Sequence, residues 1–423
     1  MEDHWTGMSP TEDRLALLYR ISQTFSSSLD LSEVLTRVMD EVIATTRAER
    51  GFVMLRQPDG SFRFASARGM DLRAVEAPEF QVSRGIVDRV ASEGKPLLTS
   101  DAQQEAWLAS RASVRILGVR AILCVPLELK GQIEGVIYVD SRIQSGVFSP
   151  EDLDMLQGIA SSAAIAIENA RLYQVAVEKG RMERELQVAR QVQSSLLPQE
   201  VPSFPGWEFA AWWQPAREVS GDFYDFVPFR DGSPGILIGD VTDKGMPAAL
   251  FMASARSVIR ANIASSELPS NAVGKANRTL CAEAPNGMFV TLLLARLEPD
   301  GKVCVTNAGN NRPLFYRSSE DSFFELGAPG FPLGIDPDSA YDHSEKQLDP
   351  GDFVLLYTDG VTDATDSLHA LFGQSRLKAA LWDARRASAT EIRERLRLAI
   401  AAFVGATAPY DDVTFLLARR SGE

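Results

Sequence analysis

The most constraining feature of the sequence is a hairpin pattern at 219–245, VSGDFYDFVPFRDGSPGILIGDVTDKG. Two segments rich in aromatic and β-branched residues flank the turn formers RDGSPG, which predicts two antiparallel strands. With the turn centred on Asp231, Asp222 and Asp240 lie nine residues to either side, so they face each other. Like charges opposed across a ladder destabilise it, and burial adds to that cost.

Two arrangements relieve the repulsion between these aspartates. One carboxylate stays protonated, or a cation lies between them, and the cation is favoured if further carboxylates converge on the same point. Asp359 ends the apolar segment DFVLLYTDG, and Asp411 and Asp412 precede the apolar segment VTFLL. If these are neighbouring strands of a sandwich, their ends meet at one rim.

The predicted ligands are oxygen atoms only, because the three histidines and three cysteines are scattered elsewhere in the chain. Hard oxygen ligands with room for water suit Mg²⁺ or Mn²⁺. Two such ions about 3.5–4 Å apart bridge a water, lower its pKa and hold a phosphoryl oxygen for in-line attack. Each aspartate alone also fits a plainer interpretation, such as a turn at Asp359–Gly360 or a solvated strand end at Asp411.

Two neighbouring side chains are interpreted differently. Asp225 points to the opposite face of its strand from Asp222, so it is predicted either to be structural or to support the metal ligands without binding the metal. Arg217 lies close in sequence to the hairpin that carries Asp222 and is a candidate to hold a phosphate with two hydrogen bonds. It fits a surface position equally well.

Composition restricts the partners of this 423-residue chain. A net charge of −14 argues against nucleic acid and against an anionic membrane surface. No apolar run approaches the roughly 18 residues of a membrane span. Cysteines without a pairing pattern, and an N-terminus without a signal-peptide core, predict a cytoplasmic protein.

The pattern of elements predicts an α+β protein with two domains and a helical linker. Helical periodicity covers 10–48, strand and hairpin signals follow, and a helix capped by Ser149 starts a long helical stretch. Three prolines at 198–205 end that stretch, and a second domain of two sheets with outer helices begins. The predicted boundaries are 10–175, 176–198 and 199–423.

The linker carries a heptad pattern that favours a short parallel coiled coil, and therefore a homodimer. The predicted core positions are Leu172, Val175, Lys179, Met182, Leu186, Ala189, Gln193 and Leu196, of which the polar Lys179 and Gln193 are weak positions. A monomeric amphipathic helix remains the alternative, because four heptads are few.

The second domain resembles the PPM-type, metal-dependent protein serine/threonine phosphatases, in their SpoIIE/RsbU-like branch. Six blocks carry the resemblance in order: EVSGDFYDF, IGDVTDKGMPAALFMA, MFVTLLLARLEPDGKVCVTNAGNNRPLFY, GFPLG, LLYTDGVTDATD and DDVTFLL. The resemblance implies an αββα sandwich with a pair of Mn²⁺ or Mg²⁺ ions at one end. It implies metal ligation and catalysis by Asp222, Asp240, Asp359 and Asp411, with further ligands from the Val241 carbonyl and Asp412. Many relatives have a histidine at the position of Asn310.

The first domain resembles a GAF domain, a module that senses small molecules or mediates dimerisation. The segments AERGFVMLRQPDGSFRFASARGM, GIVDRVASEGKPLLTSDA and AILCVPLELKGQIEGVIYVDS carry this resemblance. Together the two resemblances imply a signal-regulated phosphatase whose substrate is a phosphoserine or phosphothreonine on a STAS-type anti-sigma-factor antagonist. The GAF signal, a small molecule or a protein, is not specified. The alternatives are a catalytically silent phosphoprotein-binding regulator and, less favoured, a metal-dependent nucleotide cyclase.

Overall fold

The computed structural model describes residues 19–25, 27–57, 59–69, 71, 84–109, 118–285 and 287–422. The chain divides into two compact units, Met1–Met182 and Glu183–Glu423, and the division falls inside the predicted linker. The helix predicted over 10–48 is described from residue 19 onward, where helical residues 19–25 and a second helix are separated by a break. Residues 10–18 of that prediction lie outside the described residues.

The N-terminal unit is a five-stranded antiparallel sheet between helices, as predicted for an α+β domain. Its elements are α1 Leu31–Thr46, β1 Arg50–Arg56, β2 Phe62–Gly69, α2 Arg84–Glu93, β3 Leu97–Thr99, α3 Ala106–Ala109, β4 Ala121–Leu129, β5 Gln132–Ser141 and α4 Pro150–Leu196. The strand order is β2-β1-β5-β4-β3. One face packs against α1 and the first turns of α4, and the other face packs against α2.

A cavity of about 640 Å³ lies beside α2 in the N-terminal unit. Its lining includes Met54 and Arg56 of β1, Phe62 of β2, and Arg84 and Asp88 of α2. This volume lies within the roughly 300–1,000 Å³ of small-molecule pockets.

The long helix α4 begins and ends where the sequence predicts. The Ser149 hydroxyl accepts the Asp152 N–H at 3.2 Å, and the Asp152 carboxylate accepts the Ser149 N–H at 2.9 Å. This reciprocal pair is a capping box, which satisfies donors that the first turn leaves unpaired. The helix ends at Leu196, two residues before the first proline of 198–205.

The heptad prediction for α4 is wrong at Gln193, whereas Leu196 at the end of the pattern is 36% exposed. Leu172, Val175 and Met182 are each more than half exposed, as apolar positions awaiting a partner helix would be. Gln193, in contrast, is 4% exposed, because its side chain packs within the C-terminal unit. Sequence periodicity cannot tell a helix stripe that faces a second chain from one that faces its own domain.

The C-terminal unit is an αββα sandwich, as the resemblance implies. Its strands are β6 Trp207–Gln214, β7 Phe223–Pro228, β8 Pro234–Val241, β9 Val290–Leu297, β10 Lys302–Ala308, β11 Leu314–Arg317, β12 Ser322–Glu325, β13 Ser344–Gln347, β14 Phe353–Tyr357 and β15 Val413–Arg420. Its helices are α5 Met246–Ala264, α6 Pro269–Glu283, α7 Asp359–Thr362, α8 Gly373–Ala384 and α9 Ala389–Val404. A capping box at Ser388 starts α9.

Two five-stranded sheets make the sandwich, in the orders β13-β10-β9-β8-β7 and β12-β11-β14-β15-β6. Apolar side chains from both sheets fill the layer between them. Helices α5 and α6 cover the outer face of the first sheet, and α8 and α9 cover the second. Such layering buries both faces of each sheet, which explains why its central strands are continuously apolar.

Candidate metal centre

The hairpin has the predicted register. Phe223 pairs with Gly239 and Pro228 pairs with Pro234, so continuing the ladder by one residue sets Asp222 opposite Asp240. Asp222 is 2% exposed and immediately precedes β7, whereas Asp240 lies within β8 and is partly exposed. The turn formers at 230–235 fix this register, because they determine where the chain reverses.

Asp222 is joined to both strands that approach from the opposite sheet. The hydroxyls of Thr358, after β14, and Thr414, in β15, donate to its Oδ2 atom at 2.8 and 2.5 Å. These bonds bring Asp359 and Asp411, the neighbours of β14 and β15, to the rim that carries the hairpin aspartates. Sequence reasoning missed both threonines, although each lies within three residues of a predicted ligand.

The four aspartates act on one another electrostatically. Burial raises the pKa of Asp222 well above its usual range, and the nearby carboxylates of Asp240 and Asp412 raise it further. Burial and the carboxylate of Asp359 raise the pKa of Asp240 to about 7. Without a cation these carboxylates are therefore partly protonated at neutral pH, as expected for carboxylates that share one site.

Gly221 makes room for a backbone ligand beside these carboxylates. A Cβ at this position would lie 2.8 Å from the Val241 carbonyl oxygen and 3.4 Å from Asp240 Oδ1. Any larger residue would therefore cover the Val241 carbonyl oxygen and Asp240 Oδ1. The glycine leaves a small oxygen-lined cradle, which fits a bound cation.

The carboxylates of Asp222, Asp240, Asp359 and Asp411 form an open row, the aspartate row, rather than one compact triad. Within the described part of the chain, no three of them bring their oxygens within 4.8 Å of one another. Ligands of one Mg²⁺ lie at about 2.1 Å from it, and so at most about 4.2 Å apart. A single ion therefore contacts at most two of these side chains as they stand. The donor set consists of hard oxygen atoms, which suit a divalent ion such as Mg²⁺ or Mn²⁺ with water completing its coordination sphere.

Asp412 performs a different task from the other acidic residues at the rim. Its Oδ1 accepts the Ala216 N–H at 2.7 Å, and its Oδ2 accepts the Ser220 hydroxyl at 2.6 Å and the Gly221 N–H at 3.0 Å. Both oxygens are thus used to hold the loop that leads into Asp222. Asp412 therefore positions this loop, and ligation of a metal by Asp411 or Asp412 stays a prediction.

Asp411 has a cationic partner inside the protein. Lys244 Nζ lies 2.9 Å from its Oδ2 atom, donates to the Tyr410 carbonyl at 2.9 Å and sits 4.6 Å from the Tyr410 ring. The turn that carries Lys244 includes Asp243 with φ of 73° and Gly245 with φ of 84°. A divalent ion at Asp411 Oδ2 would share this oxygen with the lysine or displace it.

A small cavity adjoins the row. It measures about 60 Å³, and it is lined by Asp240, Thr291, Gly309, Asn310, Asn311, Thr358 and Asp359. Asn310 donates to the Thr291 hydroxyl at 3.1 Å, so its amide holds the cavity wall. The Asn311 Nδ2 atom is buried and lacks a hydrogen-bond partner in the described structure. The cavity has the volume for a few water-sized groups.

The predictions for two further side chains have different outcomes. Asp225 is 1% exposed and pairs with Arg256 and Arg260 of α5 at 2.8 and 2.6 Å, which confirms its structural role. Arg217 is exposed and lies in the loop before Gly221, so its role stays a prediction.

Gln193 connects the end of α4 to residues 216–221, the loop that leads into Asp222 and that we call the metal loop. Its Nε2 donates to the Ser220 carbonyl at 2.6 Å, and its Oε1 accepts the Ser220 N–H at 3.0 Å. Ser220 in turn contacts Asp412 and precedes the glycine of the oxygen cradle. One side chain of the helix thus holds the backbone two residues before Asp222. The heptad pattern gave no signal for this contact.

Comparison with known proteins agrees with this architecture. The C-terminal unit is similar to the solved SiaA-PP2C domain of Pseudomonas aeruginosa, with a TM-score of 0.52 and 24% identity. The match covers 58% of this chain and 100% of that domain. The fold of the C-terminal unit is therefore that of the PP2C class.

Family models identify both parts of the chain. Residues 230–421 match Stage II sporulation protein E (SpoIIE), and residues 30–167 match the GAF domain. The chain thus carries a GAF domain followed by a SpoIIE-type PP2C domain.

Two curated proteins are similar to this chain. Protein IcfG of Synechocystis sp. is 30% identical over 62% of this chain and 46% of its own length. Phosphoserine phosphatase RsbU of Bacillus subtilis is 33% identical over 42% of this chain and 53% of its own length. The chain spans about half the length of these relatives.

Manganese is expected to stabilise the C-terminal unit more at pH 8 than at pH 5. The pKa of Asp240 rises from about 3.9 in an unfolded chain to about 7 in the fold, so the metal-free protein loses stability as pH rises through that window. Ion binding offsets the repulsion only where the carboxylates are charged. At a hundredfold excess over its dissociation constant, an ion adds about 2.7 kcal/mol, or roughly 5–10 °C in the thermal midpoint.

Thermal unfolding with and without Mn²⁺ at the two pH values checks this expectation. Ca²⁺-free buffer with a chelator defines the metal-free baseline. A shift of equal size at both pH values would show that the raised carboxyl pKa values are not linked to ion binding.

Proposed function

We propose that the protein is a metal-dependent protein serine/threonine phosphatase regulated through its GAF domain. The observation that carries the proposal is the row of Asp222, Asp240, Asp359 and Asp411, which come from four separate segments to one rim of the sandwich. A site with only oxygen ligands beside a small polar cavity suits hydrolysis of a phosphate ester.

The side chains of the row would hold two ions, Mn²⁺ or Mg²⁺, together with the Val241 carbonyl. Divalent ions, when bound, supply Lewis-acid chemistry that activates water and neutralises phosphoryl charge. Asp222 is kept in place by its two threonine donors, and Asp412 keeps the Gly221 loop against it.

The substrate would enter beside the cavity at Asp240 and Asp359. Arg217 is exposed beside the Gly221 loop and offers a planar donor pair for phosphate oxygens. The unpartnered Asn311 amide lines the cavity and offers a further donor toward a phosphoryl oxygen. These groups orient the phosphate while the aspartates hold the ions.

The substrate we favour is a phosphoserine or phosphothreonine on a STAS-type anti-sigma-factor antagonist, in a partner-switching pathway. The resemblance to RsbU-like proteins motivates this choice. We also propose that the protein acts in the cytoplasm as a homodimer, with the exposed Leu172, Val175 and Met182 of α4 as the apolar contact between two copies. None of the helices in the described part of the chain has the length and hydropathy of a membrane span.

The deciding experiment measures phosphate release by the full-length protein from a phosphoserine-bearing STAS protein, with Mn²⁺ and with chelator. Manganese-dependent release supports the proposal. Binding of the phosphoprotein without any release would favour the silent regulator instead, and turnover of a nucleoside triphosphate would favour the cyclase. Comparison with the fragment 185–423 shows whether the GAF domain restrains or promotes the activity.

Regulation would pass through α4, because Gln193 contacts the metal loop directly. A shift of this helix moves Ser220, and with it the position of Asp222 relative to Asp240. A signal molecule would bind in the cavity of about 640 Å³ in the N-terminal unit.

Replacing Gln193 by alanine is expected to weaken Mn²⁺ binding about tenfold. The substitution leaves the Ser220 N–H and carbonyl without partners, and lost support of this kind typically costs 10–100-fold in metal affinity. Isothermal titration with Mn²⁺ measures the change. Gln191→Ala is the matched control, because Gln191 is exposed on the same helix. Equal affinities of the two variants would show that Gln193 does not support the ion site.

A further inference from the structure

A second cluster of metal-ligating side chains lies at the opposite edge of the first sheet from the aspartate hairpin. It consists of Cys304 in β10, His343 just before β13, and Glu345 in β13. One donor atom from each residue lies within 4.8 Å of the other two. In the parts of the chain that the structure describes, this is the one group of three His, Cys, Asp or Glu side chains with that property.

The strand register explains why these three side chains meet. Strand β10 pairs with β13 antiparallel, and Cys304 stands directly opposite Glu345. Opposed residues of a ladder share one face of the sheet. His343 precedes Glu345 by two residues, so it projects toward the same face. The cluster is therefore set by backbone pairing rather than by flexible surface side chains alone.

Residues outside the cluster orient two of its three side chains. The Ser270 hydroxyl lies 3.2 Å from His343 Nδ1, which leaves Nε2 toward Glu345 Oε1 at 3.9 Å. Lys302 Nζ binds the other carboxylate oxygen, Oε2, at 2.8 Å. Metal-binding histidines and carboxylates typically have such outer partners, which fix the ligand atoms that face the ion.

The charges around the cluster do not exclude a cation. Lys302 is paired with Glu345, and Arg296, which stands opposite Cys304 on β9, is paired with Asp231 and Glu298. The Cys304 side chain is 2% exposed, whereas His343 and Glu345 are about one third and two fifths exposed. An ion would thus enter from solvent and reach a buried sulfur.

We propose that Cys304, His343 and Glu345 form a zinc site. Sulfur, imidazole nitrogen and carboxylate oxygen together are a ligand set that zinc accepts and that Mg²⁺ and Mn²⁺ do not favour. Three protein ligands leave a fourth tetrahedral position for water. The ion would connect the edge strand β13 to β10, and this site is independent of the phosphatase reaction.

Cobalt(II) is the probe that tests the site in the full-length protein, because a cobalt–thiolate bond gives a charge-transfer absorption that oxygen ligands cannot give. We expect one equivalent of Co²⁺ to produce this absorption and Zn²⁺ to abolish it by displacement. Cys304→Ser should remove the absorption, while the matched control Cys281→Ser should retain it. Persistence of the band in Cys304→Ser, or no band at all in the unaltered protein, overturns the proposal.

A second variant covers the case in which Cys304→Ser does not fold. His343 is partly exposed, so His343→Gln should fold normally and weaken Co²⁺ binding at least about tenfold. His369→Gln is its control, because His369 is exposed and distant in sequence. Asp240→Asn should leave the thiolate band unchanged, which separates this site from the aspartate row. Unchanged cobalt affinity in His343→Gln would also overturn the proposal.

Discussion

Replacing Asp240 by asparagine is expected to lower manganese-dependent phosphate release about a thousandfold. Asp240 interacts electrostatically with both Asp222 and Asp359, and its carboxylate raises the pKa of Asp222. The amide keeps the size of the side chain but removes the charge that would hold an ion. Loss of an ion costs several kcal/mol of transition-state stabilisation, and about 4 kcal/mol corresponds to a thousandfold change in rate.

Asp243→Asn provides the matched control for this variant. Asp243 is exposed in the turn that follows the same strand, and asparagine tolerates its φ of 73°. The control therefore removes one negative charge from the turn next to β8 and leaves the aspartate row unchanged. Full activity of Asp240→Asn, or equal loss in both variants, would show that the row is not the reaction site.

Replacing Gly360 by alanine is expected to destabilise the C-terminal unit by about 3 kcal/mol. A Cβ on Gly360 would lie 1.9 Å from the Asp412 carbonyl oxygen and 3.5 Å from the Asp411 Cβ. Since the obstacle is backbone, the chain around these aspartates has to move, and overpacking of this kind costs about 1–3 kcal/mol or more. The thermal midpoint should fall by roughly 6–12 °C.

Gly274→Ala tests whether this effect is specific to the rim. Gly274 lies in α6, and an added Cβ would meet its nearest neighbour, the Tyr341 ring, at 4.0 Å. Alanine there should keep or raise stability by about 0.5–1 kcal/mol, because it favours the helix. Differential scanning calorimetry compares the two variants. An unchanged midpoint in Gly360→Ala would contradict the close approach of β14 and β15 at the rim.

The sequence predicted the parts of the site that depend on strand pairing. The turn formers locate the centre of the hairpin, and counting residues outward from it places Asp222 opposite Asp240. The alternation of a strand then placed Asp225 on the other face, where the structure pairs it with two arginines. The positions of Asp359 and Asp411 at strand ends were likewise readable from their apolar neighbours.

Contacts between distant segments were not predictable in the same way. The hydroxyls that bind Asp222, and the loop that occupies both oxygens of Asp412, depend on how two sheets meet. Gln193 shows the limit most clearly. Its helical position was correct, but periodicity assigned its side chain to a second helix instead of to the backbone of Ser220.

Direct counting of bound Mn²⁺ tests whether the aspartate row holds two divalent ions, as we propose. Equilibrium dialysis of the full-length protein, with electron paramagnetic resonance to measure unbound Mn²⁺, gives the number of ions per chain. We expect two saturable sites, with binding weakened in Asp240→Asn and unchanged in Asp243→Asn. No saturable binding, or the same binding in all three proteins, would contradict it.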